Sequence, residues 1–179
     1  MPTYQSKIAI IIRADLLEWQ KLNVAAFLAS SVAVKFPETH GRPFVTASRT
    51  EYLPFPKNPM LIYRAENDQQ IRRAFVRAKE RGLSIGIYTR PLFATKGEEE
   101  NLAEILKLPD EEQDLVGIVL YGENKQVDKA IDEYVTTPRG EEWWIPNEPA
   151  GAETRGGGVP ASVSDQFEMT PDLTGPDEV

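Results

Sequence analysis

The sequence predicts an α/β protein, a three-layer sandwich in which helices cover both faces of a four-stranded mixed sheet. Four short apolar runs, rich in β-branched residues, have the length and composition of buried strands. Longer segments with helical spacing of apolar residues separate these runs. Strands that alternate with helices are typical of α/β folds, because each helix packs its apolar stripe on the sheet.

The first half of the chain opens with a strand and a helix. The run KIAIIIR at 7–13 is a continuous β-branched segment, as in a strand buried on both faces. Residues 22–36, LNVAAFLASSVAVKF, have the length and residue types of a helix. Proline and glycine punctuate 36–58, where we expect a long loop with room for one short strand. The segment PMLIYRA at 59–65 is the second predicted strand.

The second half alternates in the same way. A capping asparagine, an early acid, late basic residues and a stop glycine indicate a helix over 67–82. The strand LSIGIYT follows at 83–89. A helix at 97–108 carries its acids at the start, which suits the helix dipole. The strand DLVGIVLYG at 114–122 and a closing helix at 124–135 complete the predicted sandwich.

The net charge of −8 is distributed unevenly along the chain. Residues 1–138 carry 18 Lys and Arg against 19 Asp and Glu, whereas residues 139–179 carry 2 against 9. The first part is thus nearly neutral, so its charge neither indicates nor forbids nucleic-acid binding. The acidity belongs to the end of the chain.

This partition predicts two regions. Residues 1–137 form the α/β domain, and 138–179 form an acidic tail, rich in proline and glycine, that we expect to be largely disordered. Trp143 and Trp144 interrupt the tail, and their rings are costly to leave in water. We therefore expect them to dock on the domain or on a partner.

Several classes of site and location are excluded by composition. The chain has no cysteine and one histidine, so we expect no metal site, and no nucleotide-binding glycine motif predicts a cofactor. No window reaches the ~18 consecutive apolar residues of a membrane span. The start MPTYQSK lacks the apolar stretch of a secretory signal. We expect a cytoplasmic protein without a membrane association, and a homodimer is one alternative for its assembly.

Three longer segments resemble a known family. KIAIIIRADLLEWQKLNVAAFLASSVA, RRAFVRAKERGLSIGIYTRPLFAT and DLVGIVLYGENKQVDKAIDEY together are similar to the domain-of-unknown-function 2000 family, over roughly residues 7–135. That family in turn resembles type II peptidyl-tRNA hydrolases, in which an apolar strand ends in Arg-x-Asp-Leu before Lys-Gly-Lys. Arg13, Asp15 and Leu16 match this pattern. The resemblance implies a type II peptidyl-tRNA hydrolase-like fold.

The hydrolase chemistry carries over less completely. Lys21 matches the first lysine after a one-residue insertion, and Asn23 stands where the second would be. Phe27 replaces a glutamine of the hydrolase helix, and Ser30 replaces its histidine. Thr95 is the candidate for a later threonine. The missing histidine and acid weaken simple hydrolysis and leave acyl transfer open.

The stretch QKLN at 20–23 raises a separate question, because polar groups open a helix that is otherwise small and apolar. This point follows a strand end and begins a helix, where α/β folds gather backbone donors and place ligands. We predict that Lys21 contacts a phosphate or an oxyanion, that Asn23 positions a water or an incoming amine, and that Thr89 closes the site. The alternative stays open that Lys21 is solvated and that Asn23 bonds nearby backbone.

Six further residues are predicted to bind substrate around this point. Each carries an aromatic, amide, hydroxyl or basic group near the rim that QKLN would share with the third strand end, or in the long loop. They are Trp19, Gln20, His40, Arg90, Thr95 and Lys96. The structural alternatives are a packed lid for Trp19, a surface loop histidine for His40 and, for Arg90, Thr95 and Lys96, a loop with ordinary surface cations.

Two functions from different classes follow. The first is an enzyme that acts on the acyl ester of an aminoacyl- or peptidyl-tRNA, as a hydrolase or as an acyltransferase to a small-molecule amine. The second is a non-catalytic ligand- or protein-binding module on the same fold. An enzyme requires Lys21, Asn23 and a loop threonine to converge on one cavity, whereas a binding module requires only an apolar pocket.

Overall fold

A single sheet organises the part of the chain that the computed structural model describes, residues 4–135. Its strands are β1 (Ser6–Arg13), β4 (Met60–Ala65), β5 (Ser84–Thr89) and β6 (Leu115–Glu123). Their order across the sheet is β4-β1-β6-β5. Strand β1 is parallel to β4, whereas β6 is antiparallel to both β1 and β5. The carboxyl ends of β1, β4 and β5 therefore lie at one edge, and the predicted four-stranded mixed sheet is confirmed.

The two faces of the sheet carry different helices. Ile8, Ile10 and Ile12 alternate with Ala9 and Ile11 along β1 and point to the opposite face. The first set packs with helix α1 (Glu18–Lys35), which buries Val24, Leu28 and Val32. The second set packs with helices α2 (Asp68–Glu80) and α4 (Asn124–Ala130). The helices cover both faces, as the alternating runs predict.

Helix α1 lies unusually close to the sheet because two strands carry glycine beneath it. A Cβ atom at Gly117 would collide with Val24 and would stand 3.0 Å from Leu28 Cδ1. A Cβ atom at Gly86 would stand 2.8 Å from Val119 Cγ1 and 3.1 Å from Ser31 Oγ. These glycines let the helix backbone approach, and so they fix the height of α1 above β5 and β6.

Several boundaries differ from the sequence prediction. Helix α1 begins at Glu18, four residues before the predicted start, because Gln20 Oε1 accepts from the Leu17 amide at 2.9 Å and closes the first turn. The loop 36–58 contains two short strands rather than one, β2 (Phe44–Val45) and β3 (Glu51–Tyr52), which pair antiparallel.

The remaining helices are close to prediction. Helix α3 spans Glu98–Leu106. The closing helix is divided, because α4 ends at Ala130 and α5 (Asp132–Val135) follows after one residue. None of the helices in the described part of the chain combines the length and apolar character that crossing a bilayer requires. The predictions for the tail, including Trp143 and Trp144, lie outside the described residues.

Candidate functional site

A cleft of approximately 710 Å³ opens beside α1 at the carboxyl end of β5. Its walls come from the first half of α1, from the end of β5, from the 3-10 turn at Arg90–Ala94 and from the start of α3. We call it the aromatic cleft, after the four rings that line it: Trp19, Phe27, Tyr88 and Phe93.

The four rings form one connected cluster. Trp19 meets Phe93 edge-on at 5.7 Å between ring centroids, and Phe93 meets Tyr88 at 5.1 Å. Tyr88 lies 6.0 Å from Phe27 on the other side. Trp19 is nevertheless 56% exposed and Phe27 57% exposed, so each ring offers much of its surface to solvent. Exposed apolar surface grouped at a cleft is typical of a binding site.

A partly buried hydrogen-bonding pair lies beside these rings. The Tyr88 hydroxyl donates to Asn23 Oδ1 at 3.0 Å. Burial raises the pKa of the Tyr88 phenol, so the hydroxyl keeps its proton at neutral pH and remains a donor. Because the Asn23 oxygen is engaged, the amide NH₂ group is the part that can donate to a ligand. The pair thus orients one amide in an apolar cleft.

The opposite wall of the cleft is a short loop that leads into α3. Thr95 Oγ1 donates to the Leu92 carbonyl at 2.7 Å and also contacts Asn101 Oδ1. The Lys96 amide donates to Glu100 Oε2 at 2.9 Å, which ties the loop to the first turn of α3. Lys96 and Glu98 both line the cleft, so the rim carries one cation and one carboxylate.

Charged side chains connect the strand ends beside the cleft. Arg13 holds Asp15 through two hydrogen bonds of 3.1 and 2.9 Å. Arg90 joins Asp15, at 3.2 Å, to Asp114, at 3.0 Å. Burial alone would raise the pKa of Asp15, but the hydrogen bonds and charges of Arg13 and Arg90 outweigh it and hold that pKa below its ordinary value. Arg90, predicted to bind substrate, is therefore engaged in an ion-pair network.

The structure separates Lys21 from Asn23. Lys21 Nζ pairs with Glu18 Oε1 at 3.1 Å and lines a different cavity, on the side of α1 that faces β4. Asn23 shares the aromatic cleft with Thr95 and Lys96. The sequence predicts that an enzyme would bring Lys21, Asn23 and a loop threonine to one cavity. The structure brings Asn23 and Thr95 together and leaves Lys21 outside.

Thr89 is also placed away from the cleft. Thr89 is only 2% exposed and does not line the cleft, whereas its neighbour Tyr88 does. Sequence reasoning missed Tyr88. The alternation of side chains along β5 was the available signal, because Gly86 faces α1 and the residue two positions later faces the same way.

The remaining candidates have local partners. Gln20 accepts from the Leu17 amide at the start of α1. His40 Nε2 lies 2.7 Å from the Ala33 carbonyl and ties the long loop to the last turns of α1. Neither residue lines the aromatic cleft.

Three of the basic residues of α2 are paired with acids. Arg72 bonds Asp68, Arg73 bonds Glu133 and Arg77 bonds Asp132. These pairs leave the helix largely neutralised, which disfavours a phosphate track on this face. Within residues 4–135, no group of three or more His, Asp or Glu side chains is arranged to hold a metal ion.

Comparison with known proteins gives a family. A family model described as "Protein of unknown function (DUF2000)" matches residues 6–136. A solved structure, that of the protein of unknown function Atu0240 from Agrobacterium tumefaciens strain C58, is similar to this chain at 30% identity and a TM-score of 0.69. That similarity covers 72% of this chain and 95% of the other. No curated protein matches. The chain belongs to the DUF2000 family.

Proposed function

We propose that this DUF2000 chain acts on the acyl ester of an aminoacyl- or peptidyl-tRNA, as a hydrolase or as an acyltransferase to an amine. The observation that carries the proposal is the Asn23 amide, held by the Tyr88 hydroxyl inside the aromatic cleft. The sequence resemblance at Arg13, Asp15 and Leu16 supplies the substrate class.

Asn23 supports this chemistry because ester cleavage develops negative charge on the carbonyl oxygen. An amide donor that is already fixed in place stabilises that charge without reorganising at the moment of reaction. Removing one such donor typically costs about 10²–10³ in kcat. The exposed rings of Trp19 and Phe27 offer the apolar surface on which an acyl or aminoacyl side chain would lie.

The charges at the rim favour transfer over hydrolysis. In transfer, a neutral amine forms the new C–N bond and the ester C–O bond breaks, with the ribose hydroxyl of the tRNA as the leaving group. Glu98 is the carboxylate at the cleft that would take the proton from the amine and return it to that hydroxyl. Lys96, on the same rim, is the cation for a phosphate of the tRNA end. Among the cleft-lining residues no histidine is available to activate water.

A non-catalytic binding module is the second candidate, and a specific observation favours it. Lys21 lies outside the aromatic cleft, and the cleft walls are mainly rings and aliphatic side chains. An apolar pocket without the predicted lysine is what a binding module requires. In that case the cleft binds an acyl group or an aromatic ring and turns over no ester.

The deciding experiment is an ester-turnover assay with purified full-length protein. Aminoacyl-tRNA and N-acetylaminoacyl-tRNA, labelled on the acyl group, are incubated with the protein in the presence and absence of primary amines. We expect loss of label from tRNA that depends on protein, with label recovered on the amine. Asn23→Ala should abolish most of this turnover, whereas Gln69→Ala, an exposed amide on α2, should not.

The outcomes separate the two candidates. No turnover above background with any tested acyl-tRNA, together with tight binding of acyl compounds that Asn23→Ala weakens, would support the binding module. Turnover that Asn23→Ala leaves unchanged would keep the enzyme but contradict the placement of its site in the aromatic cleft.

A further inference from the structure

A second cavity lies on the other side of α1, against the edge strand β4. Its volume is approximately 70 Å³, about half that of a cavity that holds benzene (~150 Å³). We call it the cationic slot and define it by six of the side chains that line it: Ile12, Lys21, Leu22, Ala25, Ile62 and Arg64.

The slot has an apolar interior. Ile12 and Ile62 belong to the core on the α1 face of the sheet, and register pairs Ile62 with Ile10 and Arg64 with Ile12. Alternation along β4 therefore places Ile62 and Arg64 on that same face. Leu22 and Ala25 of α1 form the other wall. The space suits a short or branched aliphatic chain rather than an aromatic ring.

Lys21 and Arg64 are two of the three cations that line this apolar space, and the third, Arg13, is held by Asp15 and Asp68. Lys21 comes from the second turn of α1, and Arg64 from the carboxyl end of β4. None of the residues that line the cavity is acidic. The side chain of Lys21 is only 21% exposed and lines the cavity, while its ammonium group pairs with Glu18. A negative group bound between Lys21 and Arg64 would contact both cations.

The carboxylates of Glu18 and Glu66, each of which pairs with one of these cations, do not line the cavity. Lys21 pairs with Glu18, whose side chain is 72% exposed, and Arg64 pairs with Glu66, whose side chain is 52% exposed. Exposed pairs of this kind contribute little to stability, so an anion inside the slot can compete for the same cations. Lysine has three donors, and the pair with Glu18 uses one of them.

We infer that the cationic slot binds a short aliphatic carboxylate, with the alkyl chain between Ile12, Ile62 and Ala25 and the carboxylate between Lys21 and Arg64. The site does not depend on the proposed function, because it shares no lining residue with the aromatic cleft. A branched chain of about four or five carbons fills the available space. Arg64 presents the planar fork that matches a carboxylate.

The test titrates full-length protein with three probes and follows the backbone amides by two-dimensional NMR. Isovalerate carries both the branched chain and the charge, acetate carries the charge alone, and isovaleramide carries the chain alone. We expect saturable shifts from isovalerate at residues 21–25 and 62–64. Acetate and isovaleramide should bind at least about tenfold more weakly, because each lacks one half of the interaction.

Three variants locate the site. Lys21→Met keeps the aliphatic stem and removes the charge, and should weaken isovalerate binding about ten- to hundredfold. Ala25→Leu fills the slot and should also block binding, which keeps the test valid if one variant folds poorly. Lys35→Met removes a charge from the last turn of α1, outside the slot, and should leave binding unchanged.

Three results would overturn the inference. The first is no isovalerate binding up to about 10 mM in protein with a native spectrum. The second is acetate binding as tightly as isovalerate, which would indicate surface charge alone. The third is isovalerate binding that both Lys21→Met and Ala25→Leu leave unchanged.

Discussion

The aromatic cleft and the cationic slot flank the same helix but differ in almost every property that selects a ligand. The cleft is large, ring-lined and holds one oriented amide, whereas the slot is small, mainly aliphatic and bordered by cations. Both depend on the first turns of α1, and residues only two positions apart serve them: Lys21 for the slot and Asn23 for the cleft.

The difference shows how one helix start can serve two ligands. An α-helix turns about 100° per residue, so two residues two positions apart point about 200° apart around the axis. The buried stripe of Val24, Leu28 and Val32 lies between the two directions and fixes α1 on the sheet. The polar residues of QKLN therefore open onto separate cavities rather than converge on one.

The largest expected effect is on catalysis, through Asn23→Ala. Loss of the amide should lower kcat/KM for acyl-tRNA turnover by about 10²–10³, because the donor to the developing oxyanion is removed. Isovalerate binding at the slot should be unchanged. Both quantities are measured on the same preparation.

Lys21→Ala tests whether the cationic slot contributes to turnover. Turnover should fall by less than it does in Asn23→Ala, because Lys21 lines the other cavity. If Lys21→Ala instead costs as much activity as Asn23→Ala, the two cavities act together and the separation drawn above is wrong.

The next effect is on stability, through Gly117→Val. The added side chain would collide with Val24 beneath α1, and overpacking of this kind typically costs about 1–3 kcal/mol. Urea unfolding measures this loss. Because α1 would move away from the sheet, binding at both cavities should weaken together. Gly97→Ala, where an added Cβ meets no atom within 4 Å, should cost less than about 1 kcal/mol and is the control for stability alone, because Gly97 lines the aromatic cleft.

A smaller effect is expected from Tyr88→Phe. The ring and its contacts with Phe27 and Phe93 remain, but Asn23 Oδ1 loses its donor. One neutral hydrogen bond contributes about 0.5–1.5 kcal/mol, so turnover should fall by about two- to tenfold. Full activity in Tyr88→Phe, alongside a strong loss in Asn23→Ala, would show that the amide is oriented without the phenol.

The fold could be predicted from the sequence, because a strand that is buried on both faces is a continuous apolar run. The run KIAIIIR has no polar position to face water, and such a strand requires helices above and below it. The two short strands of the long loop were not readable in full, because two-residue strands such as Phe44–Val45 have no period to detect.

The residues of the candidate site could be predicted only in part, because their positions depend on the three-dimensional packing. Asn23, Trp19, Thr95 and Lys96 share one cleft, as the sequence argument expects of a common rim. The sequence pattern predicts that α1 begins within QKLN. In the structure α1 already begins at Glu18, so Lys21 and Asn23 follow helical spacing. Contacts such as the one between Tyr88 and Asn23, 65 residues apart, depend on packing that no local pattern contains.

The smallest expected effect comes from Asp15→Asn, in the ion-pair network that connects the ends of β1, β5 and β6. Asp15 bonds Arg13 and Arg90, but its side chain is 46% exposed, so solvent screens the pairs and the expected loss at neutral pH is about 0.2–1 kcal/mol. The pKa of Asp15 is held below its ordinary value of 3.8, so the ionised carboxylate favours the folded state. That contribution is present above about pH 4 and disappears as the pH falls through the lowered pKa of the folded protein. Urea unfolding at several pH values should therefore show native and Asp15→Asn proteins diverging above that range and converging below it. High salt should narrow the gap at neutral pH. A stability difference that is constant across pH would mean that Asp15 acts through backbone geometry rather than charge, and would remove the network as an electrostatic link between the strand ends.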